Sequence, residues 1–124
     1  MLQKNTKESQ RFDVISCWEV LEHIAEKDLS QLIENVKKHL SSNGVFIGSI
    51  SKMAEDPLHV TIHDNAWWIE VFGRYGLEME IGYNSDFEFN EFCRGIKGGM
   101  FDSHDYRAEP EKGFHFVSRL KRHA

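Results

Sequence analysis

The sequence predicts an α/β domain, because a strand, a helix and a second strand follow one another with short connections. Residues 12–18, FDVISCW, are rich in apolar and β-branched side chains, as in a strand that is covered on both faces. A helical pattern occupies residues 28–40, and residues 45–50, VFIGSI, are again typical of a buried strand. This βαβ order favours parallel strands joined by a right-handed crossover. The chain of 124 residues has the size of one domain.

The first helix is predicted to begin after Asp28 and to end before Gly44. Asp28 is a suitable N-cap, and Gln31 three residues later completes the pattern of a capping box. Gly44 is expected to stop the helix in the left-handed conformation. The apolar stripe between these signals consists of Leu29, Leu32, Ile33, Val36 and Leu40.

A second helix is predicted from about Asn65 to Tyr75, with Asp64 as its cap and Gly76 at its end. Residues 77–83 then alternate between apolar and charged side chains, which predicts a half-buried strand.

The last predicted strand covers residues 113–121 and follows a long connection, residues 84–112. Connections of this length within a compact domain are often functional. Its many phenylalanines indicate that part of this connection packs as a short helix or strand.

The composition, with 40% hydrophobic and 28% charged residues, is that of a folded soluble protein and argues against a disordered chain. The net charge of −5 makes nucleic-acid binding unlikely and favours a small-molecule partner. No apolar run is long enough for a membrane span or a signal peptide, so a cytoplasmic location is expected. Cys17 and Cys93 lie outside any CxxC pair and are expected to be free thiols.

The order of these elements resembles part of a known family. Residues 12–24, FDVISCWEVLEHI, resemble the fourth strand of a class I S-adenosylmethionine (SAM)-dependent methyltransferase and the turn that follows it. Residues 40–51, LSSNGVFIGSIS, resemble the next turn and the fifth strand, and residues 114–117 resemble the seventh, antiparallel strand. The resemblance implies a partial Rossmann-like sheet with helices on both faces, in the spatial order first, second, fourth, third strand. Residues 1–11 would be a polar arm, and residues 12–124 the C-terminal half of the domain.

The resemblance also implies SAM as the cofactor, with Cys17 and Trp18 at the end of the first strand beside it. The family holds SAM through a glycine-rich turn after its own first strand, and this sequence contains no G-x-G-x-G. Residues 95–99, GIKGG, are no substitute because no apolar strand precedes them. The cofactor-binding half is therefore expected to be absent, as in a natural half-protein, a shortened chain or a degenerate copy. The chain would be an enzyme when a glycine-rich half complements it.

A candidate metal site lies in the turn after the first strand, where Glu19, Glu22 and His23 form an E-x-x-E-H pattern. On one helical turn these three side chains would share a face. The pattern is similar to the metal motif of the small-RNA 2′-O-methyltransferases and the ubiquinone-biosynthesis O-methyltransferases. In the RNA branch a later histidine completes the site; here His59 or His63 could do so, and the spacing to the next helix favours His59. The ion would activate an acceptor hydroxyl.

The same residues allow other interpretations. Without a metal, His23 would act as a base or as a hydrogen-bond partner of the loop. The chain as a whole could be a non-catalytic module that forms a homodimer or binds a partner through the exposed edge of strand 12–18. A metal-dependent hydrolase would also use Glu and His, although the fold gives it no support. The remaining histidines near the C-terminus are expected at the surface: His104, His115 and His123.

Overall fold

The computed structural model describes residues 10–82, 106 and 108–122. Within these residues two α-helices and four strands follow one another in the chain. The strands are β1 (Phe12–Trp18), β2 (Leu40–Ser51), β3 (Leu77–Ile81) and β4 (Gly113–Leu120). The helices are α1 (Leu29–His39), between β1 and β2, and α2 (Asn65–Arg74), between β2 and β3. None of the helices in this described part is long and apolar enough to cross a membrane.

The described strands form one sheet in the order β1-β2-β4-β3. β1 and β2 are parallel, whereas β4 is antiparallel to both of its neighbours, β2 and β3. The closing strand thus lies between the two strands that precede it in the chain. The predicted α/β fold class, the spatial order and the antiparallel insertion are confirmed, whereas the two described helices pack against the same face of the sheet rather than on both faces.

The main hydrophobic core lies on the face of the sheet to which Phe46 of β2 points. The ring of Phe46 stacks 6.1 Å from Phe72 of α2 and meets Phe116 of β4 edge-on at 5.3 Å. Both described helices contribute to this core, with Ile33 from α1 and Trp68 from α2 fully buried. The next residue of β2 points the other way, because side chains alternate along a strand. A smaller buried cluster on that face consists of Val45, Ile47 and Val117.

The start of α1 differs from the prediction in its capping. Asp28 directly precedes the helix, but its side chain makes no capping hydrogen bond. Its backbone is already helical (φ −100°, ψ −4°), because Glu26–Asp28 form a 3₁₀ turn that runs into α1. A capping side chain requires an extended backbone at the N-cap. The predicted capping box with Gln31 is therefore wrong.

The predicted helix stop at Gly44 is also wrong, because β2 begins directly after α1. Phe12 pairs with Leu40 and Val14 with Val45, so β1 advances by two residues while β2 advances by five. Gly44 lies in the resulting bulge, and its φ is not in the left-handed region. A Cβ atom at Gly44 would lie 3.0 Å from two carbonyl oxygens of β1. Glycine is suited to this position because the two backbones approach closely there.

The second helix agrees with its sequence signals. The Asp64 side chain accepts a hydrogen bond from the backbone N–H of Trp67 at 2.9 Å, which caps α2. The helix ends at Arg74, and Gly76 has a φ of +99°, as the predicted stop requires.

One histidine prediction is wrong. His115 is 6% exposed in β4 rather than at the surface, and its ring lies 6.3 Å from that of Trp18. The other two predicted surface histidines, His104 and His123, lie outside the described residues, as do Cys93, most of the polar arm and most of residues 84–112.

Candidate functional site

The turn after β1 lies at the carboxyl ends of the parallel strands β1 and β2. Its first residue, Glu19, has a φ of +56°, and its N–H donates to the carbonyl oxygen of Ser49 in β2 at 3.1 Å. A short 3₁₀ turn, Leu21–His23, follows. Ligands of open α/β sheets bind outside these strand ends, so the turn occupies the position where a functional site is expected.

Backbone hydrogen bonds hold a second segment against this turn. The N–H groups of Val60 and Thr61 both donate to the carbonyl oxygen of Glu22, at 2.9 and 3.1 Å. The Thr61 hydroxyl donates to the carbonyl oxygen of Ile24 at 2.6 Å. These bonds place the neighbouring residue, His59, beside the Glu22 side chain.

Glu22, His23 and His59 form a compact group, which we call the inner cluster. The Glu22 side chain is fully buried, and its Oε1 accepts a hydrogen bond from the N–H of Ser51 at 3.1 Å. Its Oε2 has no hydrogen-bond partner among the residues that the structure describes. This oxygen lies 3.6 Å from Nε2 of His23 and 3.9 Å from Nε2 of His59. One ligand atom from each residue lies within 4.8 Å of the other two.

Backbone carbonyls orient both imidazoles of the inner cluster. Nδ1 of His23 lies 2.8 Å from the carbonyl oxygen of Leu58, and Nδ1 of His59 lies 2.6 Å from that of Met53. Because a carbonyl can only accept, we assign the proton of each neutral ring to Nδ1. Each Nε2 then turns a lone pair towards the Glu22 carboxylate.

This arrangement fits a divalent cation. Three atoms that can only accept face one another, and one of them, Oε2 of Glu22, is a buried carboxylate oxygen without a partner in the described part of the chain. Metal-ligating histidines usually donate their second N–H to a carbonyl or carboxylate, as both rings do here. Two imidazole nitrogens and a carboxylate oxygen suit manganese, iron or zinc better than magnesium.

The electrostatics of the Glu22 carboxyl agree with this interpretation. Burial raises its pKa above the ordinary value, and the hydrogen bond from the Ser51 N–H offsets part of this effect. The nearby charge of Glu19 raises the pKa further. The ionised form of Glu22 is therefore destabilised unless a cation lies beside it.

Glu19 differs from its predicted arrangement. Both of its carboxylate oxygens accept a hydrogen bond from the Tyr106 hydroxyl, at 2.8 and 2.9 Å. Glu19 also precedes the 3₁₀ turn instead of belonging to it, so the predicted single helical turn with three side chains on one face is wrong. Tyr106 is 1% exposed and lies 87 residues away in the chain. No local sequence signal pointed to this contact.

Of the two later histidines considered in the sequence, His59 lies in the inner cluster and His63 does not. Nε2 of His63 lies 2.7 Å from the Glu26 carboxylate, and its ring stacks on Trp67 with the centroids 3.6 Å apart. We call Glu26, His63 and Trp67 the outer cluster.

Cys17 and Trp18 lie at the end of β1, next to the turn. Burial, and secondarily the charge of Glu22, raise the pKa of the Cys17 thiol to about 12, so it is protonated at neutral pH. Cys17 pairs with Gly48 of β2, where a Cβ atom would lie 1.9 Å from the Cys17 carbonyl oxygen. Glycine at this position lets the two strands approach. The cofactor contact of Cys17 and Trp18 stays a prediction.

Asp56 was not predicted as a site residue. Its Oδ2 lies 3.4 Å from Nε2 of His59, although Asp56 is not one of the three residues whose ligand atoms converge. A carboxylate three residues before a candidate ligand is a signal that could have been noticed.

Comparisons with known proteins agree with the fold. Residues 2–75 match the profile of a family described as a methyltransferase domain. The solved structure of a DhpI–SAH complex is similar to this chain, with a TM-score of 0.59. The match covers 99% of this chain and 55% of the DhpI chain, and the sequence identity is 11%. LepI in complex with SAM is 9% identical, with a TM-score of 0.56 over 90% of this chain and 27% of LepI. The chain thus spans about half the length of the first protein and about a quarter of the second. No curated protein sequence matches this chain.

Proposed function

The chain belongs to the methyltransferase domain family, and from this premise we propose that it forms the acceptor side of a SAM-dependent methyltransferase. The observation that carries the proposal is the inner cluster, in which Oε2 of Glu22 and Nε2 of His23 and His59 converge at the carboxyl ends of β1 and β2. The acceptor would be a small molecule with a hydroxyl group, in keeping with the net charge of −5.

Glu22, His23 and His59 would hold a divalent ion, and Glu19 stays the predicted further ligand. Each Glu19 oxygen that accepts from Tyr106 keeps a second lone pair. A bound ion would supply Lewis acidity, which lowers the pKa of a coordinated hydroxyl. The chain itself fixes the positions: the carbonyls of Leu58 and Met53 hold the imidazoles, and the N–H of Ser51 holds the carboxylate.

SAM would bind at the end of β1, beside Cys17 and Trp18. The glycine-rich turn that holds this cofactor in the resembling family would come from a preceding part of the same protein or from a partner chain. The shape of the molecule supports such a partner. β1 is the edge strand of the described sheet, and its Phe12 and Val14 are 45% and 40% exposed.

An open, mainly apolar groove of about 610 Å³ lies between β1 and α1. Phe12 and Ile15 of β1 line one wall, and Leu32 and Val36 of α1 line the other. A strand added to the edge of β1 would pair with its backbone, and a helix that follows that strand could fill the groove.

Calorimetry with SAM tests whether groups outside these 124 residues are needed to bind the cofactor. The 124-residue chain alone should show no micromolar dissociation constant, because each missing charge-assisted hydrogen bond removes about 1.5–3 kcal/mol. Addition of a chain that is encoded next to this one and carries G-x-G-x-G should restore binding and support methyl transfer from labelled SAM. A micromolar constant for the chain alone would contradict the proposed division.

A second candidate function is a non-catalytic module that dimerises or binds a partner chain through β1. The exposed Phe12 and Val14 on an edge strand favour it. Sedimentation distinguishes the two functions: a dimer that Val14→Lys dissociates, without methyl transfer under any complementation, would support the module. The control is Val60→Lys, at a residue that is 58% exposed and is not part of β1.

A further inference from the structure

We propose that Asp56 is a further ligand of the metal in the inner cluster, on the side that is open to solvent. This inference rests on the proposed function, since it assigns a ligand to that same site. Oδ2 of Asp56 lies 3.4 Å from Nε2 of His59, which is closer than the 3.9 Å between that nitrogen and Oε2 of Glu22.

One short turn positions Asp56 and both imidazoles. Oδ1 of Asp56 accepts a hydrogen bond from the N–H of Leu58 at 2.9 Å, and its carbonyl oxygen accepts from the N–H of His59 at 3.0 Å. The carbonyl oxygen of Leu58 in turn holds Nδ1 of His23. With Oδ1 engaged in the turn, Oδ2 is the oxygen that remains for the cluster.

A cation bound between Asp56 and His59 would satisfy the facing atoms of both side chains. With the proton of the neutral ring assigned to Nδ1, which faces the Met53 carbonyl, Nε2 presents a lone pair to the Asp56 carboxylate. Two acceptors then face each other at 3.4 Å. Ligands bound to one ion at 2.0–2.6 Å lie about 3–4 Å from one another. The separations of 3.4, 3.6 and 3.9 Å fall in this range, whereas the inner cluster as a whole spans up to 4.8 Å and would tighten around an ion.

The two carboxylates differ in their access to water. The Asp56 side chain is 45% exposed, whereas that of Glu22 is fully buried. Glu22 is therefore the buried carboxylate beside His59, and Asp56 is the carboxylate that water or an acceptor can reach.

Titration of the 124-residue chain with Mn²⁺, followed by the electron paramagnetic resonance of the free ion, tests the assignment. Asp56→Asn keeps an oxygen for the Leu58 N–H and removes the charged ligand. We expect it to weaken Mn²⁺ binding by about tenfold or more, the range of effects seen when even an outer partner of a metal site is lost. Glu55→Gln, which removes the charge of the exposed neighbouring residue, should leave the affinity unchanged.

A ligand swap separates coordination from general electrostatics. Asp56→Cys should give a thiolate-to-cadmium charge-transfer band when Cd²⁺ is added, and Glu55→Cys should not. If Asp56→Asn binds Mn²⁺ as tightly as the wild type and Asp56→Cys gives no band, while Glu22→Gln loses binding, Asp56 is not a ligand but the proposed metal site stands. If the wild type itself does not bind Mn²⁺, the metal site and the Asp56 assignment are both overturned.

Discussion

The inner and outer clusters each contain a glutamate and a histidine that lie 37 residues apart, on the same two stretches of chain. In the outer cluster the carboxylate of Glu26 lies 2.7 Å from Nε2 of His63, and the two side chains are 55% and 30% exposed. In the inner cluster Oε2 of Glu22 lies 3.9 Å from Nε2 of His59, and the side chains are 0% and 7% exposed. The same residue types at the same spacing therefore form two different environments.

The difference lies in which groups are satisfied. The outer pair has a direct hydrogen bond and a stacked Trp67, and an exposed pair of this kind stabilises a protein by at most about 1 kcal/mol. The inner carboxylate has lost its water and has an oxygen without a partner. The buried oxygen of Glu22 without a hydrogen-bond partner is the feature that indicates a bound cation. A glutamate and a histidine at a suitable spacing do not indicate one by themselves.

The largest expected effect is the loss of metal-induced stabilisation in Glu22→Gln. A ligand present at one hundred times its dissociation constant stabilises the wild type by about 2.7 kcal/mol. In a domain of this size that raises the thermal midpoint by on the order of 10 °C. Glu22→Gln, and likewise Glu22→Ala, should show no rise when Mn²⁺ is added in a thermal melt.

The outer cluster provides the matched control for this melt. Glu26→Gln removes a carboxylate beside a histidine at the same chain spacing and should keep the full rise. If the thermal midpoint of Glu22→Gln still rises with Mn²⁺, the inner cluster is not the metal site. If the rise disappears in Glu26→Gln, the outer cluster binds the ion.

A smaller effect is expected without metal. Because the pKa of Glu22 is raised above its ordinary value of 4.5, the folded protein binds a proton more tightly than the unfolded chain. The contribution of the Glu22 carboxyl to the free energy of unfolding is fully present below its ordinary pKa. This contribution is lost as the pH rises through the pKa that the group has in the folded protein. Glu22→Gln should therefore raise the free energy of unfolding by about 1 kcal/mol at neutral pH, since it removes a buried unsatisfied charge.

Urea unfolding with a chelator present measures this difference. The difference in the free energy of unfolding between Glu22→Gln and the wild type should decrease as the pH falls towards 4.5. A variant that is less stable than the wild type at neutral pH would show that the carboxylate is satisfied without a cation.

The smallest effect is expected for the stability of Glu26→Gln. Its pair with His63 is exposed and screened, so the variant should lose less than about 1 kcal/mol in the same urea experiment. A loss of several kcal/mol in the free energy of unfolding would contradict the description of this pair as exposed and screened.

Local patterns in the sequence determined the order and type of the elements. β1 begins and ends at the predicted residues, Phe12 and Trp18, because apolar and β-branched side chains fit a pleated strand, although its residues are exposed or half-buried rather than covered on both faces. Asp64 caps α2 and Gly76 ends it, since both signals act within one helical turn. The E-x-x-E-H pattern likewise marked the turn that carries Glu22 and His23.

Only the tertiary structure decided how distant residues meet. It brought Tyr106 to Glu19 from 87 residues away and Asp56 to His59, and it placed His59, which the spacing had favoured over His63, beside Glu22. It also turned a predicted helix stop at Gly44 into a strand bulge, because β1 approaches there. Turn and cap signals act over a few residues, whereas these contacts depend on the docking of the segment around residues 58–61 and on the pairing of strands that are distant in the chain.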